Sequence, residues 1–321
     1  MKIARFAALA LGAVFAAGAG AQDWNPSKAV RLIVPLQGGT VDILARLAAP
    51  LLQEAFGQPV IVENKGGAGG TVGTDIVAKA DPDGLNLLVG YTAPITVNVT
   101  LFDKLPYDPQ KDLSPITLAV TTQQFLTVHP SLPVRSVADF VGYVKANPGK
   151  LSYGSISIGS ASHLTMEMLK SAAGLNIVHV PYKGSGPAVA DLLAGTVQAA
   201  FLVPGNVLPY LKAEKLRVLA STGKKRFPAT PDTPTMIESG FNDFEAVAWI
   251  GFLAPGGTPR PIIDRYHREF MKILAEPSVR QRLTDIQFEI VASTPDEFAE
   301  YIRWETSRWA KVIRDTGAKA N

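Results

Sequence analysis

The sequence predicts an α/β protein of two similar lobes, each a mostly parallel β-sheet with helices on both faces. Three observations carry that expectation. From Val30 to Gly90, short apolar runs alternate with segments of helical period, an order that calls for a parallel sheet covered by helices. The same order recurs from Leu151 to Val203. In both units the first strand meets its helix through a turn of small residues: Gly38-Gly39 in one, Ser155–Ser162 in the other.

The elements follow in order. Val30–Pro35 is the first strand, centred on Leu32, Ile33 and Val34. Apolar positions 44, 47, 48, 51, 52 and 55 then keep a helical spacing, so the first helix is expected over Ile43–Phe56, stopped by Gly57. The glycine pair lets the backbone bend sharply and leaves N–H groups uncovered at the positive end of the helix dipole, a place suited to an anion. Pro59–Glu63 is a second strand, a helix runs from Gly66–Gly70 to about Ala80, and Leu85–Gly90 is a third strand. The Pro/Asp-rich loop 103–112 closes this unit.

Pro115–Val120 and Phe125–His129 read as adjacent strands, and Ser136 caps a helix to Asn147 with Asp139 in capping-box position. The second unit places a strand at Leu151–Gly154, the serine turn at 155–162 and a helix over His163–Ala173 ended by Gly174. It continues with a strand at Ile177–Val180, a helix over Pro187–Ala194 ended by Gly195, and a strand at Val197–Val203. Leu216–Ala220 and Trp249–Leu253 are further strands on either side of the Pro/Thr-rich loop 228–235. Pro255–Pro259 opens a helix to about Ala275. Thr294-Pro-Asp-Glu297 combines a Thr cap, a first-turn proline and a capping-box glutamate. The helix it starts carries an apolar stripe of Phe298, Tyr301, Ile302, Trp309, Val312 and Ile313, expected to pack back on the first lobe and make it discontinuous.

Residues 1–21 read as an export signal. Lys2 and Arg5 supply the charged start, Phe6–Ala17 the apolar stretch and Ala19-Gly20-Ala21 the small-residue cleavage site. Cleavage after Ala21 leaves 300 residues with 29 basic against 28 acidic side chains, a balance of +1. Such a chain has neither a nucleic-acid footprint nor a polybasic membrane patch. It contains no cysteine, so a large core has to carry its stability, and 47% hydrophobic composition can supply one.

Several motifs invite other chemistry. Gly67, Gly69 and Gly73 are spaced like a dinucleotide fingerprint, but that reading needs an acid at the end of the next strand, and Val89-Gly90-Tyr91-Thr92 has none. Ser155, Ser157, Ser160 and Ser162 lack the G-x-S-x-G form of a nucleophile elbow. Four hydroxyls before a helix suit hydrogen bonding to a carboxylate or its waters. His129, His179 and His267 show no metal-ligand spacing, so no metal and no cofactor are expected. Asp42 either satisfies the free N–H groups of its helix or orients a ligand, and His163 is either a pocket-lip or a packing residue.

With these residues in view, the chain resembles substrate-binding proteins of the tripartite tricarboxylate transporter family, the TctC/Bug type. The matching stretches include Gly38–Arg46, Val62–Gly70, Ala78–Gly84, Gly159–Leu164, Val180–Gly184, Pro231–Thr235 and Ala254–Pro259. The resemblance implies a two-lobe periplasmic binding protein of the type with two crossing strands. It further implies capture of a carboxylate between the lobes by main-chain N–H groups and water. One departure sits in the implied pocket: Pro35-Leu-Gln-Gly38 is a residue shorter than the family's usual segment.

The expected ligand-binding residues are therefore Leu36, Gln37, Gly38, Gly39, Thr40 and Asp42 from the first turn, with Gly69, Gly70 and Thr92 beside them. Ser155, Gly159, Ser160, Ala161, Ser162, His163 and Gly184 are expected from the second lobe. Lobe 1 is expected over 22–122 plus 249–321 and lobe 2 over 123–248, with hinges near Val120–Gln124 and Ala248–Gly251. The expected protein is a non-enzymatic, monomeric periplasmic receptor that hands an organic carboxylate to membrane permease subunits. The alternatives are a secreted serine hydrolase using the 155–162 turn and a sensor that passes its solute to a receptor.

Overall fold

The computed structural model describes residues 24–36 and 38–318; the export signal read over 1–21, and Gln37, lie outside the described residues. Two sheets carry the fold. In the first, β1 (Val30–Val34), β2 (Val60–Asn64) and β3 (Asn86–Tyr91) run parallel, joined by α1 (Thr40–Phe56) and α2 (Thr71–Ala78). Leu32, Ile33 and Val34 of β1 have no exposed surface, as expected of a parallel strand covered on both faces. A π-helical turn at Ala93–Val97 and α3 (Asn98–Leu101) lead to β4 (Leu113–Gln123), after which the chain leaves this sheet.

The second sheet opens with β5 (Phe125–Val128), followed by α4 (Val137–Ala146). Parallel β6 (Ser152–Ser155), β7 (Val178–Pro181) and β8 (Ala199–Leu202) are joined by α5 (Ala161–Ala173) and α6 (Ser185–Leu193). After α7 (Leu208–Leu211) and β9 (Arg217–Ser221) the chain returns as β10 (Val247–Pro255). It ends with α8 (Arg260–Ala275), α9 (Pro277–Asp285), β11 (Glu289–Ile290) and α10 (Pro295–Thr316). The strand orders correspond: β2-β1-β3-β10-β4-β11 in the first sheet and β7-β6-β8-β5-β9 in the second. In each, three parallel strands are followed by an antiparallel one, β10 or β5, that arrives from the other sheet.

Local chemistry explains where the elements begin. The capping boxes form at both expected places, with Asp139 N donating to Ser136 Oγ at 3.0 Å and Glu297 N to Thr294 Oγ1 at 3.2 Å. Expected and observed boundaries differ at α1, which starts at Thr40 instead of Ile43 because the break in backbone angles falls at Gly39 (φ +81). β4 runs past Val120 to Gln123, held by antiparallel pairing with β10 that no local pattern announces. The sequence reading missed α9 and β11: α9 follows α8 after one residue, and β11 is too short to show an alternation.

The tail helix packs on the first sheet as expected, against β4, and also reaches α5 of the second unit. Trp309 and Ile313 share an apolar cluster with Val97, Leu101, Leu164 and Ala246. Glu305, with no exposed surface, accepts from Trp249 Nε1 at 3.0 Å and Trp309 Nε1 at 2.8 Å, and pairs with Arg308 at 3.2 Å. Burial pushes its carboxyl above the usual range, while Arg308 and the two indoles oppose that push.

Replacing Glu305 by Ala strands two indole N–H groups and removes the carboxylate from Arg308. Breaking a buried pair from one side costs about 3–5 kcal/mol, and urea unfolding should register a loss of that size. Glu305→Gln keeps an acceptor oxygen and should lose less; equal losses would contradict the assigned role.

Candidate functional site

The glycine turn after β1 sets the first wall of a cavity between the sheets. Gly38 (φ +66) and Gly39 (φ +81) both take left-handed angles that side-chain-bearing residues resist. Gly39 is the N-cap of α1, and no side chain caps the first turn. Asp42 is placed to do so, yet its carboxylate is drawn sideways to Arg46 Nε and Asn64 Nδ2, both at 2.8 Å. Of its two readings, neither a cap nor a cavity-lining residue emerges: it braces the turn through Asn64, whose Nδ2 also donates to Leu36 O at 3.0 Å. The first N–H groups of α1 are left without an intrahelical or side-chain acceptor.

A second uncapped helix faces this one. Gly184 (φ +126) is the N-cap of α6 and again no side chain caps it. A Cβ added to Gly39 would lie 3.6 Å from Ser185 Oγ, so the two helix starts come within side-chain reach of each other. Together they border a small cavity of about 70 Å³. Leu36, Gly38, Gly39, Thr40, Thr92, Ser160, Ala161, Ser162 and Gly184, all expected from sequence, line it. So do Val41, Tyr91, Gln124, Ile156, Ser185, Asn206 and an apolar wall of Phe201, Leu202, Val203, Ala248, Trp249, Ile250 and Phe288. No charged side chain is among the described lining residues.

The serine turn is satisfied mainly by itself. Ser160 Oγ donates to Ser157 O at 2.6 Å and caps α5 by accepting from His163 N at 3.3 Å. Ser162 Oγ accepts from Ile156 N at 3.0 Å and lies 2.9 Å from Ser160 Oγ. Their hydroxyls hold the turn's shape and cap the start of α5. Ser155 has no exposed surface and does not line the cavity; its Oγ sits 2.7 Å from His179 Nε2 and donates to Ser157 O at 3.1 Å. A hydroxyl and an imidazole thus meet, at a buried position outside the cavity lining.

His163 settles on the packing side of its two readings. Its ring stacks on His179 at 4.1 Å, His179 stacks on Tyr153 at 4.8 Å, and His163 Nδ1 accepts from Gly159 N at 3.1 Å. Both imidazoles are held below their ordinary value, His163 to about 4 and His179 to about 3. Burial is the first cause for each; Lys170 adds for His163, and the neighbouring His163 adds for His179.

Gly69, Gly70 and Gly159 lie outside the cavity lining and serve close approach. A Cβ on Gly69 would meet Ile158 O at 3.0 Å, and one on Gly159 would meet Asn98 Oδ1 at 2.7 Å. Gly70 is pressed against Tyr91, whose hydroxyl would lie 2.7 Å from an added Cβ. A third contact between the sheets' territories brings Gly205 to Ile286 O, 2.9 Å from an added Cβ. Gly69 and Gly159 thus sit on the seam between the two sheets' territories, and Gly70 packs within the first, against Tyr91 and Pro94.

Residues 44–318 match the sequence model described as the tripartite tricarboxylate transporter family receptor. Protein BugT of Bordetella pertussis is 37% identical over 318 residues, 97% of this chain and 98% of its own. Among solved structures, an R. palustris protein with adipate aligns with a TM-score of 0.86 at 34% identity, over 91% of this chain and 98% of that one. MatC from Rhodopseudomonas palustris, with bound malate, gives 0.84 at 33% identity over 90% and 99%.

The histidine stack makes a stability prediction. In an unfolded chain each imidazole takes up a proton near pH 6.5, but folded His163 and His179 resist until about 4 and about 3. The unfolded state therefore binds more protons between those limits, and stability falls as pH drops through that window. From pH 6.5 to 5 the loss should reach about 2 kcal/mol per histidine. Chemical unfolding of His179→Phe over the same range should show a shallower slope; an identical slope would remove His179 from the account.

Proposed function

The chain belongs to the tripartite tricarboxylate transporter receptor family, and from that premise we propose that it captures a small organic carboxylate between two lobes and delivers it to a permease of that class. The observation that carries this reading is the pair of uncapped helix starts, at Gly39 and Gly184, bordering one small cavity without a charged side chain. Helix N-termini attract anions through free N–H groups and the aligned peptide dipoles. A carboxylate between them satisfies donors that the protein leaves open. The ligands named for similar proteins, adipate and malate, are of the same chemical class.

Closure follows from the topology. Lobe 1, residues 22–122 plus 249–321, is built on the first sheet, and lobe 2, residues 123–248, on the second. The chain crosses between them near Gln124 and again before β10, and these crossings act as hinges. A ligand touching both glycine turns binds the closed form better than the open one, and closure is driven by that difference. Residues 1–21 direct the protein to the periplasm, where it acts as a monomer. Among the described residues no helix is long and apolar enough to cross a membrane.

Isothermal calorimetry with malate, succinate and adipate, each beside its dimethyl ester, tests the capture reading. One or more acids should bind and the esters should not, because only an ionised carboxylate answers the helix dipoles; an ester binding as tightly as its acid would defeat the proposal.

Gly39→Val probes the first turn directly. It forces a branched side chain into a left-handed backbone beside Ser185. Binding should be lost with the circular dichroism spectrum unchanged, and a folded variant that binds normally would mean that the anion sits elsewhere.

A further inference from the structure

Gln124 was not among the residues that the sequence singled out, yet it occupies a central place. It is the residue between β4 and β5, where the chain passes from the first sheet to the second. Its backbone is pinned at both ends by the return crossing: Gln124 N donates to Thr222 Oγ1 at 2.8 Å, and Thr222 N donates to Gln124 O at 2.9 Å. Its side chain lines the cavity and is only 1% exposed. Its chain neighbours are fixed by strand pairing on either side, Gln123 opposite Val247 of β10 and Phe125 opposite Leu202 of β8, so a carboxamide stands where the two sheets join. One end of that carboxamide meets Thr165 Oγ1 of α5 at 2.8 Å, and the other has no partner among the described residues.

Hydrogen-bond accounting decides which end is which. The two ends of a carboxamide have the same shape, and their assignment rests on what surrounds them. With Nε2 toward Thr165, the Thr165 hydroxyl proton has no acceptor, and Thr165 is fully buried. Turned over, Thr165 donates to Oε1 and both Nε2 protons face the cavity. An acceptor oxygen on the ligand then completes the network, whereas a hydrocarbon end leaves a buried donor unpaired.

We propose that Gln124, oriented by Thr165, is the specificity-determining residue of this cavity, donating its Nε2 protons to a second acceptor oxygen at the far end of the bound acid. The proposal rests on carboxylate capture between the glycine turns. It adds that acids with a second carboxylate, amide or keto oxygen are taken in preference to those ending in bare hydrocarbon. Thr165 acts through Gln124 and is a positioning residue.

Matched acids of equal carbon number test it: succinate against butyrate, and adipate against hexanoate, by calorimetry on the full mature chain. The wild type should prefer the diacid of at least one pair. Gln124→Leu should weaken that diacid by about ten- to a hundredfold, the worth of a hydrogen bond to a charged group, and leave the monoacid unchanged. Gln124→Glu should weaken the diacid further at pH 7.5 and recover affinity toward pH 5, as the new carboxyl gains a proton to donate. Thr165→Val, which frees the amide to turn, should cost a severalfold loss and serves if Gln124→Leu does not fold. Equal losses for both members of a pair, or Gln124→Glu binding the diacid as well as wild type, would overturn the assignment while leaving carboxylate capture standing. If the wild type binds none of the four acids, the capture reading fails, and this one with it.

Discussion

Two helices of opposite halves begin, uncapped, at the borders of one small volume, and this constraint organises the molecule. The N–H groups of an uncapped first turn need acceptors from water or a ligand. Here the usual remedies are withheld. Gly39 and Gly184 occupy the cap positions without a side-chain oxygen, and Asp42 is held away by Arg46 and Asn64. Contrast α4 and α10, where Ser136 and Thr294 close complete capping boxes on the outside of the fold. The contrast is not a rule of the whole chain: α5, which also starts at the cavity, is capped by Ser160, and α2, α8 and α9 start away from it without a side-chain cap.

How much of this was legible follows from the range of each signal. The two βαβαβ units, both capping boxes and the glycine stop after Phe56 are local patterns, and they were readable to within a few residues. The first glycine turn was readable for the same reason, since a strand, a glycine pair and a helical period adjoin in sequence. Gln124, Asn206 and Phe288 were not, because they reach the cavity only through strand pairing and crossings that join distant segments. Gly69, Gly70 and Gly159 show the converse, being expected at the site yet lying outside the cavity lining. A glycine announces close approach of the backbone without saying to what, and here the neighbours are Ile158, Tyr91 and Asn98.

Those seam glycines matter because of how tightly the halves meet. At Gly69, Gly159 and Gly205 there is no room for one methyl group between one half and the other. Two of these three positions also use left-handed angles; Gly205 does not, so its constraint is contact alone. The tail helix adds a longer connection, its Trp309 and Ile313 packed with Leu164 of α5 on one side and Val97 and Leu101 on the other. The halves therefore meet through surfaces as closely fitted as a core, and a side chain added at such a seam would act on ligand binding from outside the cavity.

The absence of a charged side chain from the described lining bears on how the wall is built behind it. Trp249 of β10 borders the cavity, its ring packs on Phe298 and Tyr301 of α10, and its Nε1 donates to the fully buried Glu305. A buried carboxylate close to an anion site would oppose binding, since charges interact strongly where water is excluded. Arg308, 3.2 Å from Oε1, offsets that charge, and both indole N–H groups donate to Oε2. The charges are thus paired behind the aromatic wall, and the cavity offers only main-chain dipoles, hydroxyls and carboxamides. An anion held this way exchanges water for neutral donors without parting a buried ion pair on its release.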